Sequence, residues 1–200
     1  AVEDDDYVTR AGSTDRAGTS YEMMGLKGIV DDGTYVATLH GLSRTSYNWW
    51  NCSTFADDDN GGTLRDLTLP LMQSAVTAVE KNGGEVNLIV CDHALRDAYA
   101  ALVIADKRFV NTMKLDGGWT ALEFNGLPVV ADSDCPPNTM FFLDTDHLKV
   151  MEMQDWDWMD EDGAILSRVA NSDAYEAVMY KYADLATDRP RAHSFLRDVK

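Results

Sequence analysis

Cys91, Asp92 and His93 stand in a row, the one place in this 200-residue chain where a thiol, a carboxylate and an imidazole are adjacent. A Cys–His pair can make a nucleophile if the imidazole takes the thiol proton. Adjacent residues on a strand or a helix diverge, however, so adjacency does not bring them to one site. A capping Asp92 and a surface His93 explain the pair more simply. Cys91 then closes the apolar run Val86-Asn87-Leu88-Ile89-Val90 as a small buried residue. Cys52 and Cys135 add neither a CxxC pair nor a disulfide framework. Asn51-Cys52-Ser53 fits a glycosylation sequon, which is expected to be a chance match. His40, His93, His147 and His193 are scattered, without HExxH or other paired spacing. The chain has no GxSxG elbow, no GxxxxGK(S/T) loop and no GxGxxG fingerprint.

The acidic runs invite a calcium reading. An EF-hand loop needs ligands at positions 1, 3, 5 and 12 around a glycine at 6. Setting Gly163 at position 6 puts Trp158 at position 1, which cannot ligate. Setting Gly62 there gives Asp57 and Asp59, but Gly61 at 5 and Thr68 where a bidentate carboxylate belongs. Both runs read as solvated turns. The expectation is no catalytic, no cofactor-binding and no metal-ligating residue, and no cofactor. Tyr47, Trp49, Trp50, Trp156 and Trp158 read as anchors of a core or a protein–protein interface rather than a small-molecule platform.

Composition narrows the classes further. With 45% hydrophobic and 26% charged residues, the chain has the make-up of an ordinary globular domain. The longest apolar stretch, Ala98 to Ala105, is far shorter than the roughly 20 residues a membrane span needs. The acidic start, Ala1 to Asp6, has neither the basic nor the apolar segment of a secretory signal, so none is expected. Lys and Arg number 17 against 34 Asp and Glu, a net charge of -17. Such a surface repels phosphate backbones and anionic membranes, which argues against sequence-reading nucleic-acid binding and against a membrane partner. Of the acidic residues 26 are Asp and eight are Glu, a bias that favours turns and caps, or reflects a saline habitat.

The elements follow from pattern. The first 25 residues are polar and read as a loop or arm that needs a neighbour to order it. Thr34 to Leu39 has the β-branched and apolar content of a strand. Leu67, Leu71, Ala75, Val76 and Val79 recur at helical spacing, with Thr68 as N-cap, Pro70 in the first turn and Asn82-Gly83-Gly84 as the stop. Val86 to Val90 is a short buried strand, and Asp92 caps a helix carrying Leu95, Tyr99, Leu102 and Val103 on one face. Trp119 to Phe124 and Leu127 to Val130 flank Asn125-Gly126, a two-residue hairpin signal. Met140 to Leu143, Leu148 to Trp158 and a pattern from Ile165 through Met179 read as further extended structure.

This series resembles the major capsid protein of tailed bacteriophages, whose coat fold encapsulins share. The resemblance runs from about Met24 to Val199. It is carried by Gly25 to Val30, by Gly41-Leu42-Ser43-Arg44 through Trp49-Trp50, and by the helix–strand–helix from Leu67 to Ala105. Its most specific part is Phe124-Asn125-Gly126-Leu127-Pro128-Val129-Val130, then Asp132 and Phe141-Phe142-Leu143-Asp144. Asp173-Ala174-Tyr175 and Leu185 through Pro190-Arg191-Ala192-His193 resemble the closing peripheral strand and its return.

The resemblance implies an α+β Hong Kong-type phage capsid fold, an axial-domain α/β layer plus peripheral-domain strands. A recognisable N-terminal arm, extended loop and most of the spine helix are expected to be lacking. It divides the chain into 1–24 (arm or end of the spine region), 25–62 (peripheral/axial connection), 63–145 (axial domain) and 146–200 (remaining axial strand and peripheral return). The implied role is structural rather than enzymatic: a subunit that associates with itself into hexamers and pentamers of an icosahedral shell around double-stranded DNA. Portal, scaffolding and decoration proteins are the further partners, the virion is the location, and assembly occurs in the host cytoplasm. An acidic balance suits such a shell, because it avoids trapping packaged DNA on the wall. The alternatives are an encapsulin compartment shell and a small α/β enzyme with a site built from distant residues around Asp92 and His93.

Overall fold

The computed structural model describes residues 24–56, 63–105, 112–114, 120–160, 163–169 and 173–200. The expected polar arm, the turn from Asp57 to Gly62, Trp119, and the acidic pair Glu161-Asp162 lie outside the described residues. The chain enters through a single helical turn, α1 (Leu26–Ile29), and a hairpin of β1 (Thr38–Leu39) and β2 (Leu42–Ser43). Next come a 3-10 turn at Asn48–Trp50 and β3 (Ser53–Phe55). Two 13-residue helices, α2 (Leu69–Lys81) and α3 (His93–Ala105), bracket β4 (Leu88–Cys91). Then follow β5 (Thr112–Lys114), β6 (Thr120–Phe124), β7 (Leu127–Ala131) and β8 (Met140–Leu143). The remainder is β9 (Leu148–Trp158), β10 (Ser167–Arg168), β11 (Tyr175–Glu176), β12 (Met179–Thr187) and β13 (Ser194–Leu196).

Seven strands form one mixed sheet in the order β3-β13-β8-β4-β7-β6-β5. Strand alternation divides its side chains between two cores. Ile89, Cys91, Met140, Phe142 and Leu196 face α2 and α3, where Met72, Ala75, Val79, Leu95 and Tyr99 cover them. Val90, Phe141, Leu143 and Phe195 face the other way and are covered by the segment from Met24 to Cys52. The Phe141 and Phe195 rings stack there, 4.8 Å between centroids. Polar contacts pin the helices: Ser194 Oγ donates to the Ala75 carbonyl (3.1 Å), and Tyr99 OH donates to the Glu123 carbonyl (2.6 Å).

The local signals for α2 work as their chemistry requires. Thr68 Oγ1 accepts from Leu71 N–H, Pro70 lies in the first turn, and Gly83 follows the C-cap at φ +76°. Asp92 Oδ1 accepts from Ala94 N–H, so it caps α3. Asn125 (φ 52°) and Gly126 (φ 83°) close the β6–β7 hairpin, the left-handed pair of a type I′ turn. Pro128 pairs with Glu123 on one side, and the β4 ladder on its other side begins only at Ile89–Val129, so its missing N–H breaks no rung.

Two expectations need correction. The strand expected from Thr34 to Leu39 shrinks to Thr38–Leu39. Asp31 Oδ2 accepts from the backbone N–H groups of Gly33, Tyr35 and Val36 (3.1, 3.0 and 2.8 Å) and bends the segment away from any ladder. The strand expected from Val86 to Val90 runs from Leu88 to Cys91; Asn87 N–H still reaches the Leu143 carbonyl of β8, but regular pairing begins at Leu88.

β9 and β12 stand apart from the sheet. Among the described residues they pair with each other alone, antiparallel from Leu148–Thr187 out to Trp158–Met179, with irregular register around Tyr182.

Candidate assembly surface

The triplet Cys91-Asp92-His93 forms no site. Cys91 lies in the helix-side core, its Sγ 3.5 Å from the Val130 carbonyl, and burial pushes its thiol up to about 12. Asp92 is used by the backbone: besides capping α3, its Oδ2 accepts from Asn138 N–H at 3.4 Å. His93 is exposed on the first turn of α3, on the far side from the thiol's core. Cys52 and Cys135 are buried as well, and burial pushes each thiol up to about 12. Such thiols are poor nucleophiles. Among the described residues no group of three His, Cys, Asp or Glu side chains is placed to hold a metal ion. No described helix is long and apolar enough to cross a membrane.

The aromatics divide between packing and surface. Trp50 is buried, and its Nε1–H donates to the Leu39 carbonyl at 3.1 Å. Trp49 packs edge-on against it at 5.4 Å yet stays 53% exposed, with Tyr47 exposed beside it. Trp156 and Trp158, on the outer half of β9, are both exposed.

They belong to a larger feature. Along β9 only Leu148 and Gln154 are even partly covered. Val150 (61% exposed), Met151 (59%) and Met153 (90%) stand in solvent, with Met179 and Tyr182 exposed on β12. An ordinary half-buried strand alternates between core and water; here both faces are open. Two strands alone are marginally stable in water, and contiguous exposed apolar surface marks an interaction site. The local bonds along the ribbon are exposed: Lys181 pairs with Glu152 and with Asp155 (3.2 Å), and its Nζ lies 5.9 Å from the centre of the Trp156 ring. Surface pairs of this kind contribute little. The ribbon has the character of a surface made to be covered.

Two buried polar clusters hold the body to which it is attached, and neither is legible in residue spacing. Arg44 is fully buried. Its guanidinium donates to the carbonyls of Gly28 (2.9 Å), Ile29 (2.8 Å) and Asp31, and lies 3.8 Å from the Asp31 carboxylate. It thereby ties α1 to the loop that follows.

The second cluster corrects the picture of scattered histidines. His40, His147 and His193 all meet the root of the ribbon. Thr187, the last residue of β12, donates its N–H to His40 Nε2 (3.4 Å), while its hydroxyl meets His193 Nε2 (3.3 Å). Asp144, just past β8, donates its N–H to His193 Nδ1 (3.2 Å). His147 Nδ1 meets Asp188 Oδ1 at 2.7 Å. Positions 40, 147 and 193 are far apart in the chain, so only the sheet topology joins them.

With this geometry in place, comparison with known proteins is informative. The model of the family described as SU10 major capsid protein matches residues 7–200. Among solved structures, the chain is similar to one in the capsid asymmetric unit of cyanophage A-1(L), at 19% identity and a TM-score of 0.63, covering 96% of this chain and 64% of that one. It is also similar to a chain of the holo-SrpI encapsulin complex from Synechococcus elongatus PCC 7942, at 16% identity and a TM-score of 0.50, covering 86% of this chain and 59% of that one. The chain thus spans about two-thirds or less of the length of either structure. No curated protein matches it.

Proposed function

We propose, from the premise that this chain belongs to the SU10 major capsid protein family, that it is a structural subunit of a tailed-phage icosahedral shell. Its mixed α+β architecture is similar to the Hong Kong-type capsid and encapsulin folds. In this reading copies associate into hexamers and pentamers that enclose double-stranded DNA, with portal, scaffolding and decoration proteins as further contacts. The location is the virion, after assembly in the host cytoplasm. Residues 63–145 serve as the axial domain and 146–200 as the remaining axial strand and peripheral return, with 25–62 as the connection between them and 1–24 as arm or end of the spine region. In this reading the chain works through contacts rather than catalysis.

The observation that carries the reading is the β9–β12 ribbon. A subunit built for a shell must present apolar surface for its neighbours, and along β9 the described residues leave Val150, Met151, Met153, Trp156 and Trp158 exposed. A compartment shell of the encapsulin kind shares the fold, but the family that matches is a phage capsid family, which favours the virion. The alternative of a small enzyme with a site of distant residues around Asp92 and His93 gains no support from the geometry, since Asp92 is taken up by two backbone N–H groups and His93 is exposed on α3.

Sedimentation velocity and electron microscopy over a range of salt and protein concentration test the proposal. Concentration-dependent oligomers, rings or shells are expected. A chain that stays monomeric under all conditions would count against shell formation.

A further inference from the structure

The histidine cluster sits where the exposed ribbon joins the sheet, and its hydrogen bonds have a sense that depends on protonation. We propose that His193 is an acid-operated latch: its neutral imidazole holds the ribbon root to the sheet, and protonation releases it.

Donors and acceptors fix the tautomer of His193. Asp144 N–H points at His193 Nδ1, so Nδ1 must carry a lone pair. The proton of the neutral ring is then on Nε2, where it is donated to Thr187 Oγ1; that oxygen also accepts from Arg189 N–H at 3.2 Å. One ring therefore bridges the end of β8 to the end of β12. Protonating Nδ1 sets a donor against a donor and breaks the bridge. His40 Nε2 repeats the arrangement against Thr187 N–H, at the longer distance of 3.4 Å. His40 is at the tip of the β1–β2 hairpin, with φ 49°, so the second bond links the ribbon to the layer beneath the sheet.

The groups facing His193 come from every element of the joint. Burial opposes its charged form most strongly, since its side chain has no exposure to water. Asp144 favours the charged form, but its carboxylate already accepts from Glu85 N–H (3.0 Å) and Asp146 N–H (3.2 Å). His147, on the 3-10 turn between β8 and β9, opposes a second charge, and Asp188 favours it. Asp188 is shared with His147 and with Lys149 Nζ at 3.8 Å. Arg189 turns its guanidinium away, onto the Asn82 carbonyl at 2.7 Å. The balance pulls His193 down from 6.5 to about 4.

The sign follows from linkage. The docked state binds the proton less readily than the released state, so the latch is at full strength above about 6.5 and weakens as pH falls toward 4. A pKa moved from 6.5 to about 4 corresponds to a docked-to-released ratio that falls by about 300-fold in all, from well above pH 6.5 to well below pH 4. This device stands on the geometry of one chain and does not depend on the shell reading.

The test is hydrogen–deuterium exchange on the full 200-residue chain between about pH 7.5 and about pH 4.5, corrected for the intrinsic pH dependence of exchange. Protection of the Asp144 and Thr187 amides is expected to fall by at least about tenfold, while Ile89 and Phe141 in the central sheet keep theirs. His193→Asn keeps an acceptor oxygen near Nδ1 but cannot titrate, and should flatten the profile. The His193 ring is titrated by NMR in parallel. Its midpoint should coincide with the loss of Asp144 protection, which keeps the test decisive even if the variant does not fold. Constant protection at the root, a parallel loss across the central sheet, an unchanged profile in His193→Asn, or a ring titration uncoupled from Asp144 would each overturn the latch.

Discussion

Arg44 is one of 17 basic residues in a chain with twice as many acidic ones, and nothing in its neighbours marks it as interior. The structure removes it wholly from water and gives it three carbonyls and a carboxylate. Breaking a buried pair from one side is costly, because the remaining charge loses its partner without regaining water. Arg44→Met should therefore destabilise the chain by about 3–5 kcal/mol, seen as a lowered urea midpoint at unchanged slope. A loss below about 1 kcal/mol would mean that Asp31 is held well enough by its three N–H donors alone. The same residue-scale logic explains why the Asp31 loop was unreadable. A carboxylate that intercepts backbone donors acts through space at its own tip, and a β-branched run downstream gives no sign of it.

At the scale of elements, the helices were legible because their signals are local: a threonine cap, a proline in the first turn and apolar residues every three or four positions lie within α2 itself. The β6–β7 turn was legible for the same reason. Gly126 sits at φ +83° with nothing within 4 Å of an added Cβ, so any cost of a side chain there is conformational rather than steric. Gly126→Val should lower stability by about 1–3 kcal/mol and reduce assembly; a melting temperature unchanged within error would remove the turn's demand for glycine. Gly84 is the opposite case. An added Cβ would meet Ala192 Cα at 2.8 Å, Ala192 Cβ at 2.9 Å and Val79 at 3.0 Å, where α2 is followed by the chain that returns from β12. Gly84→Ala should thus cost about 1–3 kcal/mol by overpacking, measured by chemical denaturation. That close approach joins residues more than a hundred positions apart. Patterns of period two and 3.6 describe one element at a time, so they show neither this contact nor the division of the sheet's side chains between two cores. The joining of His40, His147 and His193 at one joint was hidden for the same reason.

At the scale of the whole molecule, the sequence signalled β9 as a strand but not that both its faces are open. An extended pattern by itself does not say which faces are covered. The described chain supplies no core there. The central sheet is covered by helices on one face and the Met24–Cys52 layer on the other, and among the described residues nothing buries the ribbon's outer apolar side chains. This separates two properties that usually change together. A charge placed at Met153, which is 90% exposed, removes almost no buried contact from the single chain, and Trp156 is half exposed. The double variant Met153→Asp with Trp156→Asp should keep its unfolding free energy to within about 0.5 kcal/mol. In an interface the same two carboxylates would be desolvated without partners, a cost of several kcal/mol that weakens association by about a hundredfold or more. Sedimentation velocity beside a denaturation curve on the same sample reads both properties. Loss of oligomers at unchanged stability places subunit contacts on the ribbon. Unchanged oligomers would move them to another surface, with Tyr47 and Trp49 the next exposed aromatic pair to vary.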